Sequence, residues 1–138
     1  MTPTLYGRWQ TRLFLSVTIG GLVTVIFGLA LNDLVSAFAL LGYITALGLI
    51  WDVGYIRLQR LRWDHDWPPF LYLAGAIWEL GFLIGLHQLA DLPGIASTFG
   101  LVKLIFQFTL IAFLSFLGMF GPMRVLFPRW RFRGGQWF

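Results

Sequence analysis

The chain has 138 residues, of which 58% are hydrophobic and 12% charged, against about 25% charged in an average soluble domain, so too few polar groups are present to wrap a water-soluble core. The length matches a single domain, and the absence of cysteine excludes disulfides, zinc–thiolate clusters and thiol nucleophiles. A net charge of +4 would suggest nucleic acid in a soluble protein, but the basic residues fall in short blocks between long apolar runs; anionic lipid headgroups are the expected partner and nucleic acid is not.

The first apolar run covers residues 13–31, between Arg12 and Asn32-Asp33, and as a helix it reaches about 28 Å, close to the thickness of a bilayer core. A cleaved signal peptide has a shorter apolar region, and the best cleavage-like triplet, Ala37-Phe38-Ala39, falls inside the next run, so the segment reads as a span. The second run covers 34–56. Only Asn32-Asp33 separates the two, which predicts a tight antiparallel hairpin, with Asn32 in a left-handed helix end and Asp33 as the next N-cap. A polar loop over 57–69 ends in Pro68-Pro69, with Asp66 a candidate cap for the helix that follows. The third run covers 70–90 and the fourth 99–121, leaving a basic tail over 122–138. Strands of a β-barrel are excluded because these runs are too long and do not alternate in polarity.

Nine of the ten Lys and Arg residues sit before the first run (Arg8, Arg12), in the 57–69 loop (Arg57, Arg60, Arg62) or after the fourth run (Arg124, Arg129, Arg131, Arg133), with Lys103 the exception. Four spans place these blocks on one face, whereas three or five would split them. Retention of basic loops in the cytoplasm then predicts an all-α polytopic membrane protein, four transmembrane helices in one antiparallel bundle with both termini inside. The expected location is a bacterial plasma membrane or a topologically related internal one. Trp63 and Trp67, with Arg129, Trp130, Arg131 and Arg133 in the tail, have the amphipathic or cationic character of lipid-interface anchors.

Association of helices in lipid relies on small residues that let backbones approach. Gly20, Thr24 and Gly28 recur at helical spacing in the first run, as do Gly42 and Ala46, Gly81 and Gly85, and Ser115 and Gly118 in the others. Internal packing is the expected use of these stripes, the alternative being that Gly81 and Gly85 dock another protein.

Glu79 is the carboxylate in the middle of the third run, about 13–14 Å along its helix, where an isolated charge costs at least ~2.5 kcal/mol. It must be protonated, paired or hydrated. Depth bookkeeping places Gln107 and Thr24 nearby and Lys103 farther toward the opposite face, which predicts an intramembrane polar core of Glu79, Gln107, Lys103 and Thr24. Its role is either a proton- or ion-coupling carboxyl or polar glue between helices. Asp52, near the end of the second run, is expected to pair with Arg57 or with an arginine of another segment. Asp64, His65 and Asp66 form a candidate acid–base group in the loop, although consecutive residues rarely converge on one ion. No nucleotide, zinc or hydrolase motif occurs, so no catalytic residue, metal site or cofactor is expected. Three functions follow: a non-enzymatic accessory, assembly or scaffold component beside other membrane proteins or copies of itself; a small transporter or channel-like subunit using Glu79; and an enzyme using the Asp64-His65-Asp66 loop.

Overall fold

Hydrocarbon offers no partners to a peptide N–H or C=O, so an apolar run in lipid must satisfy its backbone internally, which a helix does. The computed structural model describes residues 3–137, apart from the side chain of Arg131; that candidate anchor therefore lies outside the described side chains. It is all-helical. Helices α1 (Leu5–Leu31), α2 (Leu34–Leu61) and α3 (Pro69–Leu89) are each long and apolar enough to cross a membrane, and so is the stretch formed by α4 (Leu101–Phe120) and the short α5 (Pro122–Leu126). A second short helix, α6 (Pro128–Phe132), follows.

The helices outrun the apolar stretches. α1 starts at Leu5, where Thr4 caps it by accepting a hydrogen bond from the Gly7 N–H at 3.1 Å, and α2 continues past residue 56 to Leu61. Arginine is a good helix former whose long stem carries its charge away from the helix axis, so a cation ends the apolar run without ending the helix. Asn32 adopts the left-handed conformation (φ 52°) and Asp33 accepts from the Ser36 N–H, as the hairpin reading expects. α3 begins instead with Pro68 at the N-cap and Pro69 in its first turn, so Asp66 does not cap it; proline suits that turn because its missing N–H would have no helical partner.

The surface is inverted relative to a water-soluble protein. Val17, Val35, Ile77 and Val102 are 73–81% exposed, while Thr24, Ser36, Asp52, Gln107 and Ser115 are buried. Such a body is soluble in lipid, whose tails are as apolar as these side chains. Gly20, Gly28 and Gly118 do serve internal packing: a Cβ on each would come within about 3 Å of Leu41, Leu34 and Ile19 respectively. Gly42, Gly81 and Gly85 do not, since a Cβ there would meet nothing within 4 Å. α3 turns Glu79 and Leu83 inward, and at 100° per residue Gly81 and Gly85 fall on the opposite side.

Two apolar clusters hold the helices. One joins Ala37, Leu40, Leu83, Phe99, Leu104 and Phe108; the other joins Leu15, Met123 and Trp130. Beside the first, the Ser36 hydroxyl accepts from the Ala96 N–H and the Tyr43 hydroxyl donates to the Pro93 carbonyl. At the other end the N-terminal residues, the 62–68 connection and the tail meet. The Thr4 N–H donates to the Gly134 carbonyl at 2.9 Å, and the Gln59 amide donates to the carbonyls of Pro3 and His65.

Candidate functional site

The charges of this end converge on Arg12. Because α1 is helical from Leu5, Arg12 lies within the bundle, and its guanidinium holds two carboxylates at once. Nε and Nη2 donate to Asp52 Oδ2 and Oδ1 at 2.8 and 3.0 Å, and Nη1 and Nη2 donate to Glu79 Oε2 and Oε1 at 3.1 and 3.0 Å. Planar guanidinium geometry makes both pairs bidentate, the strongest form of such contacts. Asp52 is 2% and Glu79 9% exposed, so Arg12 ties α1 to α2 and α3 at a point where neither acid could stand ionised alone. Arg8, one turn earlier, places Nη1 3.9 Å from Asp52 and stacks 4.3 Å over the Trp67 ring. Two cations thus face two anions.

Gly48 makes room for this arrangement. A Cβ there would come within 2.6 Å of Arg12 Cζ and collide with Nη1, and the guanidinium, fixed by four hydrogen bonds, has no free direction in which to move. Tyr55 lies alongside, its hydroxyl donating to the Gly75 carbonyl at 3.2 Å.

The expected grouping of Glu79 with Gln107, Lys103 and Thr24 separates into three contacts. Gln107 is fully buried and donates to Thr24 Oγ1 at 3.1 Å and to the Ala37 carbonyl at 2.9 Å, joining α4 to α1 and α2. Lys103 donates to the Thr98 carbonyl, near the start of its own helix. Glu79 takes Arg12 instead, because a bidentate cation outcompetes a neutral amide for an ionised carboxylate. In the 62–68 connection Asp64 accepts from Arg62 at 2.9 and 3.1 Å and from the Asp66 N–H. These bonds hold the Asp64 carboxyl below the usual range, at about 2, with the Arg62 contact the larger cause. His65 occupies the left-handed turn (φ 50°), and among the described residues no three acidic or histidine groups come together as a metal site would need.

The anchors divide. Trp63 is 92% exposed, and Arg129 and Arg133 are exposed. Trp67 turns inward onto Arg8 and Tyr55. Trp130 is a correction to the sequence reading: it is 2% exposed and its indole N–H donates to Thr11 Oγ1 at 2.7 Å, while Thr11 donates to the Gly135 carbonyl. The tail is therefore folded against α1. Its proline and glycine breaks, at Gly121-Pro122, Pro128 and Gly134-Gly135, let short helices turn back where a lipid-surface helix would run on.

Beside Arg12 the four helices and the tail border a partly open cavity of about 130 Å³. Its polar side carries Arg8, Arg12, Asp52 and Glu79, and its apolar side Ile44, Phe108, Ile111 and Met119. Arg8, Arg12 and Gln59 were counted in the sequence as flanking or loop residues. The signal that finds Arg12 is its spacing of one turn from Arg8 on a continuing helix, together with two acids in later runs that each need a cation. The chain matches no protein-family model, no curated protein and no solved structure.

Proposed function

We propose that this small four-helix membrane protein is a non-enzymatic accessory or assembly component of a larger membrane complex, with both termini in the cytoplasm of a bacterial plasma membrane or a topologically related compartment. The observation that carries this reading is the closed charge network. A transport carboxyl must exchange its proton or ion, yet both oxygens of Glu79 are taken by Arg12, and the same guanidinium saturates Asp52. What the network supplies is a fixed relation between three helices. Outside it, α3 offers a face of exposed Ala74 and Gly81 and half-buried Gly85, where a Cβ on either glycine would meet nothing within 4 Å among the described residues, the close-approach surface a neighbouring helix uses.

Native mass spectrometry after mild extraction is expected to find the chain at fixed stoichiometry with a different membrane polypeptide. A homo-oligomer whose reconstituted vesicles pass protons in a Glu79-dependent manner would overturn the reading. Orientation has its own test, since the chain has no cysteine. In intact cells Asp91→Cys should react with a membrane-impermeant maleimide and Asp64→Cys should not; the reverse pattern refutes the orientation.

A further inference from the structure

The cavity beside Arg12 is not accounted for by a scaffold role. It lies between the helices at the end where the N-terminal residues and the tail meet, in a protein interior where close packing is otherwise the rule, and it is bordered by α1, α2, α3, α4 and the tail. Five hydroxyl side chains line it; Thr11 and Tyr55 are spent on the Gly135 and Gly75 carbonyls, which leaves Ser16, Tyr72 and Ser115, on three different helices. Among the described residues none of these three makes a hydrogen bond within the protein, in contrast to Thr11, Thr24, Ser36 and Tyr55, which all do. Ser115 is only 6% exposed. A serine or threonine hydroxyl in a helix can bond the carbonyl one turn earlier, as exposed Thr18 and half-buried Thr45 do here. Ser115 lines the cavity instead. Ser16 opens the one π-helical segment of α1, Ser16–Gly20, a distortion that recurs at ligand sites.

Size and charge define what fits. A cavity of about 130 Å³ is close to the roughly 150 Å³ that admits benzene in an engineered apolar site, so one six-membered ring is the natural occupant. Two cations face two anions on the polar side, and the four Asp52 and Glu79 oxygens are already held by Arg12; an ionic ligand would unbalance that set. The remaining walls are aliphatic or aromatic, with Tyr72 and Phe120 in edge contact at 6.1 Å between α3 and α4. We propose that this cavity binds one neutral oxygen-bearing aromatic or quinonoid ring, a phenol or the ring of a quinone or quinol, through the hydroxyls of Tyr72, Ser115 and Ser16. This goes beyond the accessory role and does not depend on it.

Fluorine NMR of 4-fluorophenol and 4-fluorotoluene, two rings of nearly equal size, tests the proposal on the purified full chain in detergent, with empty micelles as the reference. The phenol is expected to show a saturable shift only when protein is present, and to bind about tenfold tighter than the toluene, the difference one or two neutral hydrogen bonds make. Tyr72→Phe should remove several-fold of that preference without lowering toluene binding. Ser115→Leu, which fills the cavity, should abolish binding of both rings, and a retained helical spectrum establishes that this variant is folded. Competition by a decyl-tailed benzoquinone would identify a lipid-borne ring as the ligand; competition by tailless benzoquinone alone would identify a free one. Equal affinity for the two fluorinated rings, no saturable shift, or undiminished binding in folded Ser115→Leu would overturn the proposal.

Discussion

Replacing Arg12 by leucine is expected to destabilise the bundle by about 3–5 kcal/mol, because it strands two carboxylates where they have no other bidentate partner. The cost is set by what remains, not by the bonds lost. Glu79→Gln, which leaves Arg12 its Asp52 partner, should therefore cost less, about 1–3 kcal/mol. The triple variant Arg12→Met, Asp52→Leu, Glu79→Leu removes every stranded charge together and should fall within a few kcal/mol of the native chain or above it. Reversible unfolding in mixed SDS micelles measures all three. If the single Arg12 variant were as stable as the native chain, the guanidinium would not be holding the carboxylates, and the rigid framework inferred from it would go too.

The second large effect is expected at Gly7. A side chain there has no space: its Cβ would collide with the Gly134 carbonyl and lie 2.7 Å from Gly135 C and 2.9 Å from Gln136 N. These are backbone atoms that no rotamer change can move. Gly7→Val should therefore lift the tail from α1, releasing the Trp130–Thr11 hydrogen bond and the Trp137 N–H donated to Gln10. Removing a buried tryptophan side chain costs about 3–5 kcal/mol, so losing half of that packing favours the open tail by roughly ten- to seventyfold. Trypsin reads the change at Arg129, Arg131 and Arg133, because cleavage tracks the population of the open form when opening is fast. Gly42→Val, whose added Cβ meets nothing within 4 Å, should leave the cleavage rate unchanged.

What the sequence disclosed and what it concealed have different physical origins. The four apolar runs became four long helices because backbone satisfaction in lipid admits little else, and Asn32-Asp33 was legible because its turn chemistry is local. Glu79 stood out because an acid in a span demands an explanation. Its partner did not, because hydropathy records where side chains leave water and says nothing about where a helix ends. Arg12 was read as the last residue before a span, and its helix had begun seven residues earlier, at Leu5. Trp130 was misread for the opposite reason. Its amphipathic ring suits a lipid interface, but a backbone broken by proline and glycine carried it onto Thr11. Gly81 and Gly85 fit the spacing of a packing face, and only the rotation of α3, set by Glu79 and Leu83, determined that the face points away.

The contact of Thr4 and Gly7 with residues 134–136 also fixes an order of events during biogenesis. The ribosome delivers α1 first, and at about 5–20 residues per second the tail follows some 6–25 s later. Throughout that interval Thr11 lacks its Trp130 and Gly135 partners. A nascent chain stalled before Trp130 would already hold all four long apolar stretches, yet its first helix would still lack the Thr11 partners that the tail supplies.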